Sequence, residues 1–122
     1  MNVKIDTKEK FTTITLEETK LPANMTENIK ELLLAYLQKD IPHIVLNLKH
    51  IAAIDTDIAI DLAGIQQEFY EKNCSFVICE MKKTVETIFD ELELLELLNF
   101  TPTESEAWDI IQMEEIEREL LQ

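Results

Sequence analysis

Asp55, Thr56 and Asp57 set two carboxylates around a hydroxyl in consecutive positions, and Asp61 follows about one helical turn later. Three kinds of chemistry suit that set. Two carboxylates near a strand end are hard oxygen ligands for Mg²⁺, which would make Asp55 and Asp57 a phosphoryl-transfer centre. The Thr56 hydroxyl, in an exposed turn, is a candidate phosphoacceptor. Finally, the first amides of a helix lack intrahelical acceptors, so an acid there caps the helix and meets the positive end of its dipole.

The turn matters only if its neighbours hold it in place. Residues 43–48 form an apolar strand, and residues 51–54 carry the chain on to the turn. Downstream, Ile58, Leu62, Ile65 and Phe69 recur at helical spacing and predict a helix from Thr56 or Asp57 to about Lys72. Residues 75–79 read as the next strand, so this stretch has the strand–helix–strand pattern of a parallel, right-handed crossover. Residues 3–5 and 11–16 predict an N-terminal hairpin. Asn24 with Glu27 resembles a capping box for a helix carrying Ile29, Leu32, Leu33, Tyr36 and Leu37 and ending before Pro42. Val85, Ile88, Phe89 and Leu92 predict a third helix, followed by a short apolar segment at residues 97–100. Thr103 with Glu106 is a second capping box, opening a last helix with Trp108, Ile111, Ile116 and Leu120. The expected fold is one α/β domain over residues 1–122, with a mixed β-sheet of about five strands and four helices.

Composition narrows the partners. The chain carries a net charge of −14, and residues 84–122 hold 12 acids against the single base Arg118. Such a surface repels phosphate backbones and anionic lipid, so direct nucleic-acid binding and membrane insertion are not expected, and a partner with a basic face fits better. No apolar run approaches the ~18 residues of a membrane span, and Lys4 and Asp6 interrupt any secretory signal, so a cytoplasmic location is expected. Cys74 and Cys79 have neither zinc-knuckle nor redox spacing and read as reduced structural thiols. The one glycine, Gly64, lies inside a predicted helix, which excludes a glycine-built phosphate cradle and points to close helix packing. His43 and His50 read as ordinary, partly exposed histidines, and no catalytic residue, metal ligand or cofactor is assigned.

Asp55-Thr56-Asp57 is similar to the opening motif of haloacid-dehalogenase phosphatases, but those need a downstream lysine, and the only base after Lys83 is Arg118. A response-regulator receiver would pair acids after its first strand and carry a late lysine, and this chain offers neither.

The order of elements around Ile44-Val45-Leu46-Asn47-Leu48, Ile54-Asp55-Thr56-Asp57 and Thr103-Glu104-Ser105-Glu106-Ala107 resembles the STAS domain of bacterial anti-sigma factor antagonists. The resemblance implies a STAS-like fold and a non-enzymatic protein-binding role. In those antagonists the turn reads Asp-Ser-Ser-Gly or Asp-Ser-Thr-Gly, and its second hydroxyl is phosphorylated by a kinase that is also the anti-sigma factor. Asp55 then matches the family's Asp, Thr56 the first hydroxyl, Asp57 the phosphoacceptor and Ile58 the glycine. Ordinary serine switching is lost or altered, Thr56 is the remaining phosphoacceptor candidate, and the expected partner is an anti-sigma factor or serine-kinase-like protein. Asp55, Thr56, Asp57, Ile58 and Asp61 form the expected partner-binding set, with Gln66 at its rim. The alternative the resemblance leaves is a cytosolic STAS subunit of a lipid or ABC-type transporter, bound to a transporter ATPase. A Mg-dependent phosphoryl-transfer enzyme using Asp55 and Asp57 is the weaker alternative.

Overall fold

A computed structural model of the protein describes residues 1–121. In chain order the elements are β1 (Val3–Thr7), β2 (Thr12–Leu16), β3 (Lys20–Leu21), α1 (Thr26–Leu34), β4 (Ile44–Asn47), β5 (Ala53–Ile54), α2 (Thr56–Glu71), β6 (Phe76–Cys79), α3 (Lys83–Glu91), β7 (Phe100–Thr101) and α4 (Glu104–Leu120). The main sheet has five strands in the order β1-β2-β4-β6-β7, with β1 antiparallel to β2 and every other pairing parallel. The mixed five-stranded sheet and four α-helices are as expected. The second sheet, a parallel ladder of β3 and β5, is not foreseen by the sequence reading.

Strands that step across a sheet in one direction through right-handed crossovers deliver every crossover helix to the same face. So α1, α2 and α3 share one face, where Ile14, Ile44, Leu46 and Ile78 meet Leu33, Leu62, Phe69 and Phe89. After β7 no strand remains to be reached, and α4 returns along the opposite face, burying Ala107 and Ile111 on Phe11, Val45, Val77 and Cys79. The strands β4 and β6 are therefore covered on both sides, which is why their sequences run apolar without alternating.

A polar clamp fastens the second half of α4. Ser75 donates its hydroxyl to Glu114 at 2.6 Å and accepts from Arg118 at 3.0 Å, and Arg118 also reaches Glu115 at 3.0 Å. The Nδ1 atom of His43 accepts the Ser75 N–H at 2.9 Å, so the neutral ring carries its proton on Nε2, 3.2 Å from Glu115. Burial holds the imidazole below its ordinary pKa, outweighing the opposing pull of Glu115. His43 is thus partly exposed, as expected, and serves as a structural joint that its spacing did not reveal.

Two further expectations are corrected. Pro22 opens a 3₁₀ turn over Ala23–Met25 that runs straight into α1, so the N-cap position falls on Met25, already helical at φ −93° and ψ −1°. Asn24 has no extended cap geometry from which to act, and the proposed capping box is absent. A Cβ built on Gly64 meets nothing within 4 Å, so close helix packing is not the reason for that glycine. Where left-handed backbone is needed the chain does without glycine. Asn73 (φ 58°) and Glu93 (φ 57°) close α2 and α3 in Schellman motifs, through Cys74 N–H to Phe69 O and Leu94 N–H to Phe89 O, both 2.8 Å.

Candidate functional site

The acidic turn is held by backbone on both sides before any side chain contributes. The β3–β5 ladder pairs Leu21 with Ile54, and the Asp55 N–H continues it by donating to Leu21 O at 2.9 Å. Ala52 N–H donates to Thr19 O at 2.7 Å, while Thr84 at the start of α3 donates its hydroxyl to Ala52 O at 2.7 Å. Leu21, Ile54 and Ile58 are buried beneath this strap. The turn is therefore a rigid platform with its side chains pointing outward.

Asp55 is the N-cap of α2. Its backbone is extended (φ −73°, ψ 151°), and its Oδ1 accepts the Asp57 N–H at 2.9 Å. Asp57 sits in the first turn of the helix, and its carboxylate accepts no hydrogen bond among the described residues. Capping, which could have explained Asp57, is thus the work of Asp55, leaving Asp57 a free surface anion near the dipole's positive end.

Asp55, Thr56 and Asp57 are all exposed, and Asp61 is half-buried. Asp57 and Asp61 face Asn24, Thr26 and Glu27 across a cleft of about 460 Å³ between the starts of α1 and α2, with Ile60 at its edge. Ile60, exposed to 50%, and the open Gly64 continue the surface along α2 at helical spacing. Sequence reasoning missed Ile60, which the stripe of buried residues places on the opposite side of the helix.

Two members of the expected set stand elsewhere. Ile58 is 1% exposed and packs into the core, so it supports the turn from below and offers no surface to a partner. Gln66 is engaged within the fold, where its Oε1 accepts the Asn99 N–H at 3.1 Å and ties α2 to the segment before β7.

Among the described residues, the one cluster of three metal-ligating side chains is Cys79, Glu80 and Glu104, at the end of β6 and the start of α4. Asn47 already donates to both carboxylates, at 2.7 Å to Glu80 and 3.4 Å to Glu104. The Cys79 thiol is pushed up to about 12 by burial and by the two carboxylates, so it is held protonated. Asp55 and Asp57 belong to no such cluster. Cys74 and Cys79 are free thiols, and no described helix is long and apolar enough to cross a membrane.

The family model of the STAS domain matches residues 2–107. No curated protein matches this sequence. An anti-sigma-factor antagonist (STAS) domain protein from Planctomyces limnophilus superposes with a TM-score of 0.78 at 16% identity, over 90% of this chain and 97% of that one. A serine-to-glutamate variant of RsbS from Moorella thermoacetica gives 0.75 at 18% identity, over 92% and 96%. The murine anion transporter Slc26a9 in its inward-facing state gives 0.71 at 13% identity, over 85% of this chain but 18% of that one. At these identities the structural likeness is one of fold.

Proposed function

This chain belongs to the STAS domain family, and we propose that it is a non-enzymatic interaction module of the anti-sigma factor antagonist kind, which docks through the acidic turn at the head of α2. The observation that carries the reading is the division of labour between the two aspartates. Asp55 spends its carboxylate on the helix cap, while Asp57 presents an unspent one where antagonists carry a phosphorylatable hydroxyl. A phosphate would supply about −1.5 to −2 charge and three acceptor oxygens, and Asp57 supplies one charge and two oxygens closer to the backbone. The module is accordingly fixed in one charge state at this position, with Thr56 the remaining hydroxyl in the turn. Its docking surface is Asp55, Thr56, Asp57 and Asp61, extended by Ile60, and its partner is an anti-sigma factor or serine-kinase-like protein, in the cytoplasm. An enzymatic use of the two aspartates is disfavoured, because Asp55 is occupied by an amide and no third ligand joins them among the described residues.

The test is binding to the purified cognate kinase-like partner by wild type, Asp57→Ser and Asp57→Ala, each also incubated with ATP and measured by intact mass. The reading expects the Ser variant to gain a phosphate and to differ from wild type in affinity. Equal affinity of all three would remove Asp57 from the interface. A phosphate on wild type that Thr56→Ala abolishes would assign the switch to Thr56.

One second reading is attachment to a transporter: the likeness to part of the anion transporter Slc26a9 goes with it, and the family resemblance offers a STAS subunit of a lipid or ABC-type transporter. Capture of a transporter ATPase through the same turn, in place of the kinase-like protein, would select it.

A further inference from the structure

The strand β1 is one edge of the main sheet, with β2 on its inner side. Glu17 N–H donates to Asn2 O and Lys8 N–H to Phe11 O, both at 2.8 Å, so along this antiparallel pair the even-numbered residues of β1 turn their backbone groups toward β2. Thr12, opposite Thr7, sends its N–H the other way, to His43 O at 2.9 Å. The N–H and C=O of Val3, Ile5 and Thr7 therefore point out of the sheet, and no group among the described residues bonds them. The strand is five residues long, pairs without a bulge and holds no proline, so neither of those devices blunts its edge.

Register decides what fits there. A second copy of β1 laid antiparallel about a twofold axis must match outward-facing residues with outward-facing residues, which leaves only alternate registers open. Centred on Ile5, the pairing sets Val3 against Thr7, Ile5 against its twin and Lys4 against Asp6 on both sides of the axis. The Lys4–Asp6 match falls at the non-hydrogen-bonded position, where facing side chains stand closest. The next open register in one direction sets Lys4 against Lys4, and in the other Asp6 against Asp6, which like charge disfavours. Lys4 has no ion pair among the described residues, and Asp6 holds Lys8 through Oδ2 alone, at 2.9 Å. Ile5, exposed to 46%, would be covered by its twin. Residues 1–20 carry four lysines and four acids in a chain of net charge −14, so this edge is a place where two acidic copies meet without local repulsion. We infer that the free edge of β1 receives the β1 of a second copy, antiparallel about Ile5, so that one sheet runs through both chains. The inference is independent of the role given to Asp57, which stands at the head of α2.

The experiment is sedimentation equilibrium of the full chain over a rising concentration series, for wild type, Lys4→Asp, Asp6→Lys and an equimolar mixture of the two variants. Wild type is expected to show a reversible monomer–dimer equilibrium. Each variant alone sets like charges opposite each other on both sides of the axis and is expected to weaken the dimer by at least about tenfold. In the mixture each mismatch is answered by the other chain, so dimer is expected to return as a pair of unlike copies. Both positions are exposed, so the variants are expected to keep the wild-type circular dichroism. Bulk charge makes a different demand: Asp6→Lys lowers the net negative charge, and a dimer strengthened by it would overturn the inference. So would a wild type that stays monomeric throughout, a dimer that neither variant weakens, or a mixture that assembles no better than its components.

Discussion

Replacing Gly64 by alanine separates two reasons a helix can have for keeping a glycine. The residue lies mid-helix in α2, its φ is not positive, and an added Cβ meets nothing within 4 Å. Neither backbone conformation nor packing requires it. In an exposed helix interior glycine costs about 0.8–1.0 kcal/mol relative to alanine, mostly as backbone entropy lost on folding. Gly64→Ala should recover that amount. With a urea m-value of about 1–3 kcal/mol/M the midpoint rises by about 0.3–1 M, and for a chain of 122 residues Tm rises by about 3–4 °C. Urea titration followed at Trp108, the single tryptophan, measures it at unchanged m-value. An unchanged or lowered midpoint would refute the argument, since it would mean that α2 needs flexibility or space that the structure does not display. The same variant bears on docking. If α2 receives a partner along Ile60 and Gly64, affinity falls while stability rises, and the glycine is then explained by the approach of that partner.

Glu93→Gly should add about 0.5–1 kcal/mol at the opposite kind of site, because Glu93 closes α3 in the left-handed region that glycine enters freely; urea midpoints check it. Asp55→Ala should cost about 1 kcal/mol as a lost N-cap, and Asp57→Ala only about 0.3–1 kcal/mol through the dipole. A larger loss at Asp57 than at Asp55 would contradict the assignment of the cap to Asp55. Stability should also fall as the solution is acidified from about pH 7.5 toward pH 5.5. The folded pKa of His43 lies below its ordinary 6.5, so the unfolded chain takes up the proton first. The contribution is complete above 6.5 and is lost as pH falls through that value toward the folded pKa. His43→Gln should flatten the slope of midpoint against pH, and an unchanged slope would place the titration elsewhere.

The helical period of Ile58, Leu62, Ile65 and Phe69 and the apolar runs of β4 and β6 made the central crossover legible, because long-range burial imposes those patterns directly. The β3–β5 ladder was not legible, since two-residue strands carry no period and are defined by the partner they meet. Ile58 illustrates the limit at the site itself. A position aligned with a surface motif by local spacing was also on the buried stripe, and burial prevailed. The bonds of Gln66 and His43 were not legible for another reason: their partners, Asn99 and Ser75, stand more than thirty positions away, and one-dimensional spacing does not report such bonds. The Asp55 cap was legible as chemistry, but its assignment over Asp57 required the extended dihedrals of one residue.

Because three helices share one side of the sheet and α4 has the other to itself, a body seated at the head of α2 leaves the reverse side uncovered. Substitutions on the outer surface of α4 are therefore expected to leave an encounter at the head of α2 unaltered, which makes that helix the place for a label or a tether.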